Sequence, residues 1–197
     1  MNKLLILFLF LPIFCFGQDE TAENPPYHQI PDAPESYTEQ SIMARMIDGL
    51  GYRYYWATKD LREEDLNYEP GNEGRPAKDV LVHLFGLCEV VLNAVKGDPN
   101  VRPIPEMEMS WEEQRTKTLE MLKEASDILR SSDAPSPEDM KIVFQRGEKT
   151  SEFPLWNLLN GPLADALWHT GQIASFRRSS GNPVHPGMSV FSGKTRE

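Results

Sequence analysis

The chain has 197 residues, of which 40% are apolar, 25% charged and 10% aromatic, which suits a globular domain and excludes a mini-protein, a collagen and a wholly disordered chain. Lysine and arginine total 20 against 30 aspartates and glutamates, so the formal net charge is -10. A chain this acidic lacks the positive surface that nucleic acid or anionic lipid requires, and we expect no nucleic-acid partner.

Residues 1–17 have the pattern of a secretory signal peptide. One lysine precedes an apolar run over residues 4–14, and Cys15 and Gly17 place small residues three and one positions before a cut that follows Gly17. The run is shorter than the roughly 20 residues of a membrane-spanning helix, so we expect no stable membrane insertion after cleavage. An uncleaved anchor and a lipid anchor at Cys15 are the alternatives. The expected location is periplasmic or extracellular.

After the signal, residues 18–36 carry four prolines among polar residues and are expected to form an extended lead-in. The first predicted helix starts at the capping box Ser36-Tyr37-Thr38-Glu39 and continues, with apolar residues at helical spacing, to about Thr58. The second, Ala77 to Lys96, carries a broad apolar stripe and stops at Gly97.

A second capping box, Ser110-Trp111-Glu112-Glu113, starts the third predicted helix, which continues to Ser131. Residues 140–153 alternate weakly and are predicted to form a small hairpin. The last helix covers residues 154–180, with a kink or a new segment expected at Gly161-Pro162, where the proline lacks an N–H.

Four amphipathic helices without a parallel-strand pattern predict an all-α fold, an antiparallel four-helix bundle that admits the small hairpin between its third and fourth helices. The bundle is expected over residues 37–183, followed by a C-terminal tail over residues 184–197.

Motifs of dinucleotide binding, phosphate-binding loops, serine hydrolases and HExxH metalloproteases are absent from the sequence. The candidate chemistry lies instead in His and Asp residues on the two most apolar helices. Asp165 and His169 are four residues apart, so both project from one helix face, and His83 lies in an apolar run of the second predicted helix. Two imidazoles and one carboxylate form a three-ligand set typical of open, catalytic metal sites.

Spacing alone leaves a simpler interpretation open. Each histidine can be a hydrogen-bonded core residue, and Asp165 can pair with an arginine or cap a loop. A buried carboxylate is costly unless it is paired or bound to a metal, so either interpretation assigns Asp165 a partner.

The segment Asp165-Ala-Leu-Trp-His169-Thr-Gly-Gln172-Ile, with His83 upstream, resembles the DinB-like superfamily of four-helix bundle metalloproteins over roughly residues 38–183. The resemblance implies a divalent metal, usually zinc or nickel, held by one His of the second helix and a His-xxx-His pair of the last. His83 and His169 match two of these positions. Asp165 stands where the family pattern has His, and a carboxylate also ligates zinc.

Two further polar residues accompany these positions. Asp79, four residues before His83, is either a further ligand, a residue that orients an imidazole, or an acid at a helix N-terminus. Gln172, three residues after His169, is expected either to bond a metal-bound water or to make an ordinary polar contact.

The predicted function is therefore that of an exported, divalent-metal-binding bundle acting as a metal-dependent hydrolase or transferase on an unidentified small molecule. The alternative is a non-catalytic binding or stress-related bundle in which the ion, or only a polar cluster, supports the fold. By family resemblance a homodimer is the expected assembly.

Overall fold

The computed structural model describes residues 25–71, 73–104 and 108–196, so the predicted signal peptide, residues 1–17, lies outside the described residues. The core is formed by four helices of 16 to 20 residues: α1 (Glu39–Thr58), α3 (Ala77–Lys96), α4 (Trp111–Arg130) and α6 (Ala164–Ser179). Helices α1 and α3 each pack against both α4 and α6. None of the described helices combines the length and the apolarity that crossing a membrane requires. Two short helices complete the set: α2 (Glu63–Leu66) between α1 and α3, and α5 (Leu155–Leu158) before α6.

Two small sheets accompany the helices, and they make the expected all-α class wrong. The first sheet has the order β1 (Asn100–Val101), β2 (Lys141–Arg146) and β3 (Lys149–Pro154). The second pairs β4 (Met188–Ser189) with β5 (Lys194–Thr195) in antiparallel fashion. The protein is therefore a mixed α and β structure and not a pure four-helix bundle.

The three-stranded sheet combines a predicted and an unpredicted element. The hairpin of β2 and β3 confirms the alternation predicted for residues 140–153, and its turn contains Gly147 at a φ of 58°. β1 was not predicted, because it has only two residues and pairs in parallel with Phe144 and Gln145 of β2. Its anchor is the buried Asn100, whose amide donates to the Val143 carbonyl at 3.1 Å.

Local signals account for most helix ends. The second capping box is confirmed, since Ser110 accepts from the Glu113 backbone N–H and the Glu113 carboxylate accepts from the Ser110 N–H. In α1 the box forms two residues later than predicted, between Thr38 and Ser41. α3 covers the predicted range and ends at Gly97, which adopts the left-handed conformation with a φ of 75°.

The last helical segment is continuous through the predicted interruption. α5 leads into a π-helical turn, Leu159–Leu163, which contains Pro162 and continues directly into α6. A π turn holds an extra residue, so it accommodates a position where the proline supplies no N–H. The interruption is real, but it widens the helix and does not end it, and Asp165 follows it immediately.

Both ends of the described chain pack on α1. Tyr27 and Ile30 of the lead-in are buried, with 4% and 8% of their surface exposed, and the Tyr27 hydroxyl donates to the Asp48 carboxylate at 3.0 Å. At the other end, Tyr52 of α1 donates to the Lys194 carbonyl at 2.9 Å and accepts from the Ser189 N–H at 3.1 Å. Residues 25–36 of the lead-in and residues 184–196 of the tail thus contribute side chains and backbone groups that contact α1.

Candidate metal centre

The site lies where α3 and α6 face each other. On α3 the stripe of Val80, Leu81 and Leu84 is buried, and His83 stands at its edge with 39% of its side chain exposed. The α-helical spacing therefore turns the imidazole toward the rim of the interface rather than into the core.

Asp165 and His169 come from the first two turns of α6, directly after the π-helical turn. The Asp165 carboxylate reaches both imidazoles: one oxygen lies 3.2 Å from His83 Nε2 and the other 3.4 Å from His169 Nε2. The two imidazole rings meet edge to face with their centroids 4.9 Å apart. Residues 82 positions apart in the chain are thereby brought into contact, as the metal-site interpretation requires.

This group can hold a metal ion. One ligand atom from each of His83, Asp165 and His169 lies within 4.8 Å of the other two. Ligands of one zinc ion lie about 2.0–2.1 Å from it, so two ligand atoms are at most about 4.2 Å apart. Small side-chain rotations therefore suffice to bring all three donors onto one cation, and two nitrogens with one carboxylate oxygen suit a divalent metal.

Gln172 orients the His169 ring. Its side-chain oxygen lies 2.8 Å from His169 Nδ1, so the ring donates its Nδ1–H to the amide. That bond leaves the lone pair of Nε2, the nitrogen facing Asp165, available to a cation. Of the two contacts predicted for Gln172, with a metal-bound water or with another polar group, the structure shows the second, and the partner is the His169 imidazole.

Asp79 stands apart from this group. It is an exposed acid in the first turn of α3, where a negative charge is favourable, and within the described ranges it has no hydrogen bond or ion pair with His83. Of the candidate ligands, the structure brings together His83, Asp165 and His169.

The cluster is open to solvent on one side. The side chains of His83 and Asp165 are 39% and 41% exposed, while that of His169 is 20% exposed. Trp168 precedes His169, and at 77% exposure its indole lies on the surface of α6 next to the positions of Asp165 and Gln172. A molecule approaching the cluster from solvent would therefore meet an aromatic surface beside it.

The cysteine on α3 is unsuited to act as a nucleophile here. Cys88 is fully buried, and burial raises the pKa of its thiol to about 12. The thiol is protonated at neutral pH, so it behaves as a small core residue.

Sequence reasoning did not foresee that a π-helical turn sets the position of Asp165, although Pro162 marks the place in the sequence. Comparison with known proteins adds no further assignment: no family model matches the chain, and a search of curated proteins found no match. The functional argument thus depends on the geometry of the cluster.

Proposed function

We propose that this protein binds one divalent cation, zinc or nickel, at His83, Asp165 and His169, and uses it as a metal-dependent hydrolase or transferase acting on a small molecule. The observation that carries this proposal is the convergence of three ligand atoms, from two helices, within 4.8 Å of one another. The resemblance to DinB-like metalloproteins supports it. The predicted signal peptide bears only on location: it favours an exported protein and argues against transfer of a cytosolic thiol.

Each residue of the proposed site has its own role. His83 and His169 would supply nitrogen lone pairs, and the carboxylate of Asp165 would offset part of the positive charge. Gln172 keeps Nε2 of His169 directed at the cluster by accepting its Nδ1 proton. When bound, a divalent cation makes water a stronger acid near neutral pH and polarises a substrate oxygen.

The donor set favours a catalytic ion over a purely structural one. Three protein ligands with an open position are typical of catalytic zinc, whereas structural zinc sites are closed by four. The same two-histidine, one-carboxylate set also binds ferrous iron in oxygenases. Element-resolved analysis of the bound metal distinguishes zinc, nickel and iron directly.

Metal content of protein purified without a histidine tag tests the proposal. We expect one equivalent of metal in the wild type and loss of most of it in His83→Ala and His169→Ala. His185→Ala is the matched control, because His185 is exposed and packs against Trp56, away from the cluster. A metal-free wild type whose melting temperature is unchanged by chelator or by added zinc would leave only a polar cluster that supports the fold.

A second experiment separates a catalyst from a binder. The metal-loaded protein is assayed against ester, amide and thiol-transfer substrates, with Asp165→Asn and the apo protein as comparisons. Activity that follows metal content supports the enzyme, whereas full occupancy with no turnover of any substrate class favours the non-catalytic alternative.

A further inference from the structure

A cavity of about 650 Å³ lies between α1, α6 and the C-terminal segment. Residues on α6 that line it, such as Leu167 and Ala174, point away from the side that carries Asp165, since they lie about half a turn around the helix from it. The volume falls within the range of about 300–1,000 Å³ that small-molecule pockets occupy. The cavity is therefore separate from the metal cluster and large enough for a ligand.

Most of the wall is apolar. Of the lining residues that the structure describes, Thr170 alone has a neutral polar side chain, and its hydroxyl already donates to the Ala166 carbonyl at 2.7 Å. Such a wall offers almost nothing to recognise a sugar or a nucleobase, but it suits an aliphatic chain. The apolar lining residues with side chains are Met46, Ala57, Leu167, Ala174, Val184, Met188 and Val190.

Among the described residues that line the cavity, the charged ones are Arg45 and Arg53, and both are half-buried. Each makes one hydrogen bond to a backbone carbonyl, Arg45 to Pro31 at 2.7 Å and Arg53 to Gly49 at 2.8 Å. Across the described ranges neither is in an ion pair, although the chain holds 30 acidic residues against 20 basic ones. Most of the five N–H donors of each guanidinium thus remain for an anion.

Two glycines, Gly49 and Gly171, line the cavity. A Cβ atom at Gly49 would lie only 3.2 Å from Nη1 of Arg53, so the Arg53 guanidinium lies directly over Gly49. A Cβ atom at Gly171 would meet nothing within 4 Å, so the space over this residue is open. Glycine within a helix is unfavourable by about 0.5–1 kcal/mol relative to alanine. At Gly49 the missing side chain makes room for the Arg53 guanidinium, and at Gly171 it leaves open space on the α6 side of the cavity.

We propose that this cavity binds an amphiphilic monocarboxylate, with its aliphatic chain along the apolar wall and its carboxylate paired with Arg45 and Arg53. A carboxylate and a guanidinium form charge-assisted hydrogen bonds, and these are stronger beside an apolar wall than in open solvent. The net charge of -10 repels anions in general, so binding of one requires these local positive groups.

Titration calorimetry with dodecanoate below its micellar concentration tests the proposal in purified protein with chelator present. We expect binding of one dodecanoate per chain, and dissociation constants about tenfold or more higher for dodecanol and for dodecyltrimethylammonium, which lack the anion. No binding of dodecanoate, or equal binding of dodecanol, would overturn the proposal.

Variants locate the site. The double variant Arg45→Gln/Arg53→Gln should raise the dissociation constant for dodecanoate about tenfold or more but leave that for dodecanol unchanged. Arg146→Gln, which removes one charge from the exposed end of β2, should bind as the wild type does. An equal loss in Arg146→Gln would mean that only net charge matters and would contradict the assigned site.

Filling the cavity provides an independent readout. Gly171→Leu places a side chain in the open space, so it should abolish binding of both dodecanoate and dodecanol while the circular dichroism spectrum stays unchanged. His83→Ala should bind dodecanoate normally, because the cavity and the metal cluster use different faces of α6. The comparison of the three ligands in wild-type protein stays decisive if Gly171→Leu fails to fold.

Discussion

At the scale of single residues, the hydrogen bonds that a side chain makes determine which of its atoms remain available to a ligand. The His169 ring shows this directly, since its Nδ1–H is committed to the Gln172 amide and its Nε2 faces Asp165. A ring held this way offers one defined nitrogen to a cation.

Gln172→Ala is therefore expected to lower the affinity for zinc by about 10- to 100-fold without changing the fold, because His169 loses the acceptor that orients it. Competition with a chromophoric chelator measures the affinity. Gln145→Ala serves as control, because the side-chain amide of Gln145 donates to the nearby Gly147 carbonyl on the hairpin. Equal zinc affinity in Gln172→Ala and wild type would show that the contact does not position the ligand.

Arg177 acts on the end of another helix. It is 4% exposed, and its guanidinium donates to the carbonyls of Trp56 and Lys59, both at 2.9 Å, at the C-terminal end of α1. Burial lowers the pKa of Arg177, but the bonds satisfy carbonyls that the helix itself leaves without donors.

Replacing Arg177 with methionine keeps much of its volume but removes these donors. We expect Arg177→Met to lower the free energy of unfolding by about 3 kcal/mol, since it orphans several buried carbonyls. The exposed neighbour Arg178 provides a matched control. Arg178→Met should change the free energy of unfolding by less than about 0.5 kcal/mol. Urea denaturation measures both, and similar losses in the two variants would refute the capping role.

At the scale of elements, two helical glycines differ in whether a tertiary contact requires them. Gly86 in α3 has open space where a Cβ atom would lie, whereas a Cβ atom at Gly51 in α1 would come 2.4 Å from the Tyr27 ring. No steric contact therefore requires glycine at position 86, whereas Gly51 lets Tyr27 of the lead-in approach α1.

Alanine at the two positions should accordingly have opposite effects. Gly86→Ala is expected to raise the free energy of unfolding by up to about 1 kcal/mol through helix propensity. Gly51→Ala should lower it by about 1–3 kcal/mol, because Tyr27 has to move out of its packed position. Thermal and urea unfolding of both variants measure the sign of each change in the free energy of unfolding. Stabilisation by Gly51→Ala would mean that the lead-in does not pack against α1 at Gly51.

At the scale of the whole molecule, a buried carboxylate joins α2 to the end of α6. Asp65 accepts hydrogen bonds from Arg62, Ser180 and Asn182. Burial by itself raises the pKa of Asp65, but these donors outweigh it and hold the pKa well below the ordinary value of 3.8. The ionised form is therefore the one that stabilises the fold.

The pH dependence of the stability follows from the lowered pKa of Asp65. Because the pKa of Asp65 is lower in the folded than in the unfolded chain, its stabilisation is complete above about pH 5 and is lost as the pH falls toward the folded value. We expect Asp65→Asn to lower the free energy of unfolding by about 3 kcal/mol at pH 7 and by progressively less from pH 5 to pH 3. Urea unfolding across this range, with the exposed Asp133→Asn as control, is the measurement. A constant difference between Asp65→Asn and wild type down to pH 3 would exclude the linkage.

Local information in the sequence determined the main helices and the hairpin. Capping residues, the stop at Gly97 and apolar spacing act within a few residues of one another, so α3 and the β2–β3 hairpin were predictable. The same spacing placed Asp165 and His169 on one helix face, and the helical register of α6 confirms that placement.

Contacts between distant parts of the chain were decided by the tertiary structure alone. β1 exists because Asn100 and Val101 meet β2 more than 40 residues later, and no local pattern marks a two-residue strand. His83 touches Asp165 across 82 residues, and Arg177 reaches the end of α1 across about 120. The arginines of the cavity likewise face an apolar wall only because α1, α6 and the tail pack together. Periodicity reports which side of an element is buried, whereas the partner on that side is selected by the packing of the whole chain.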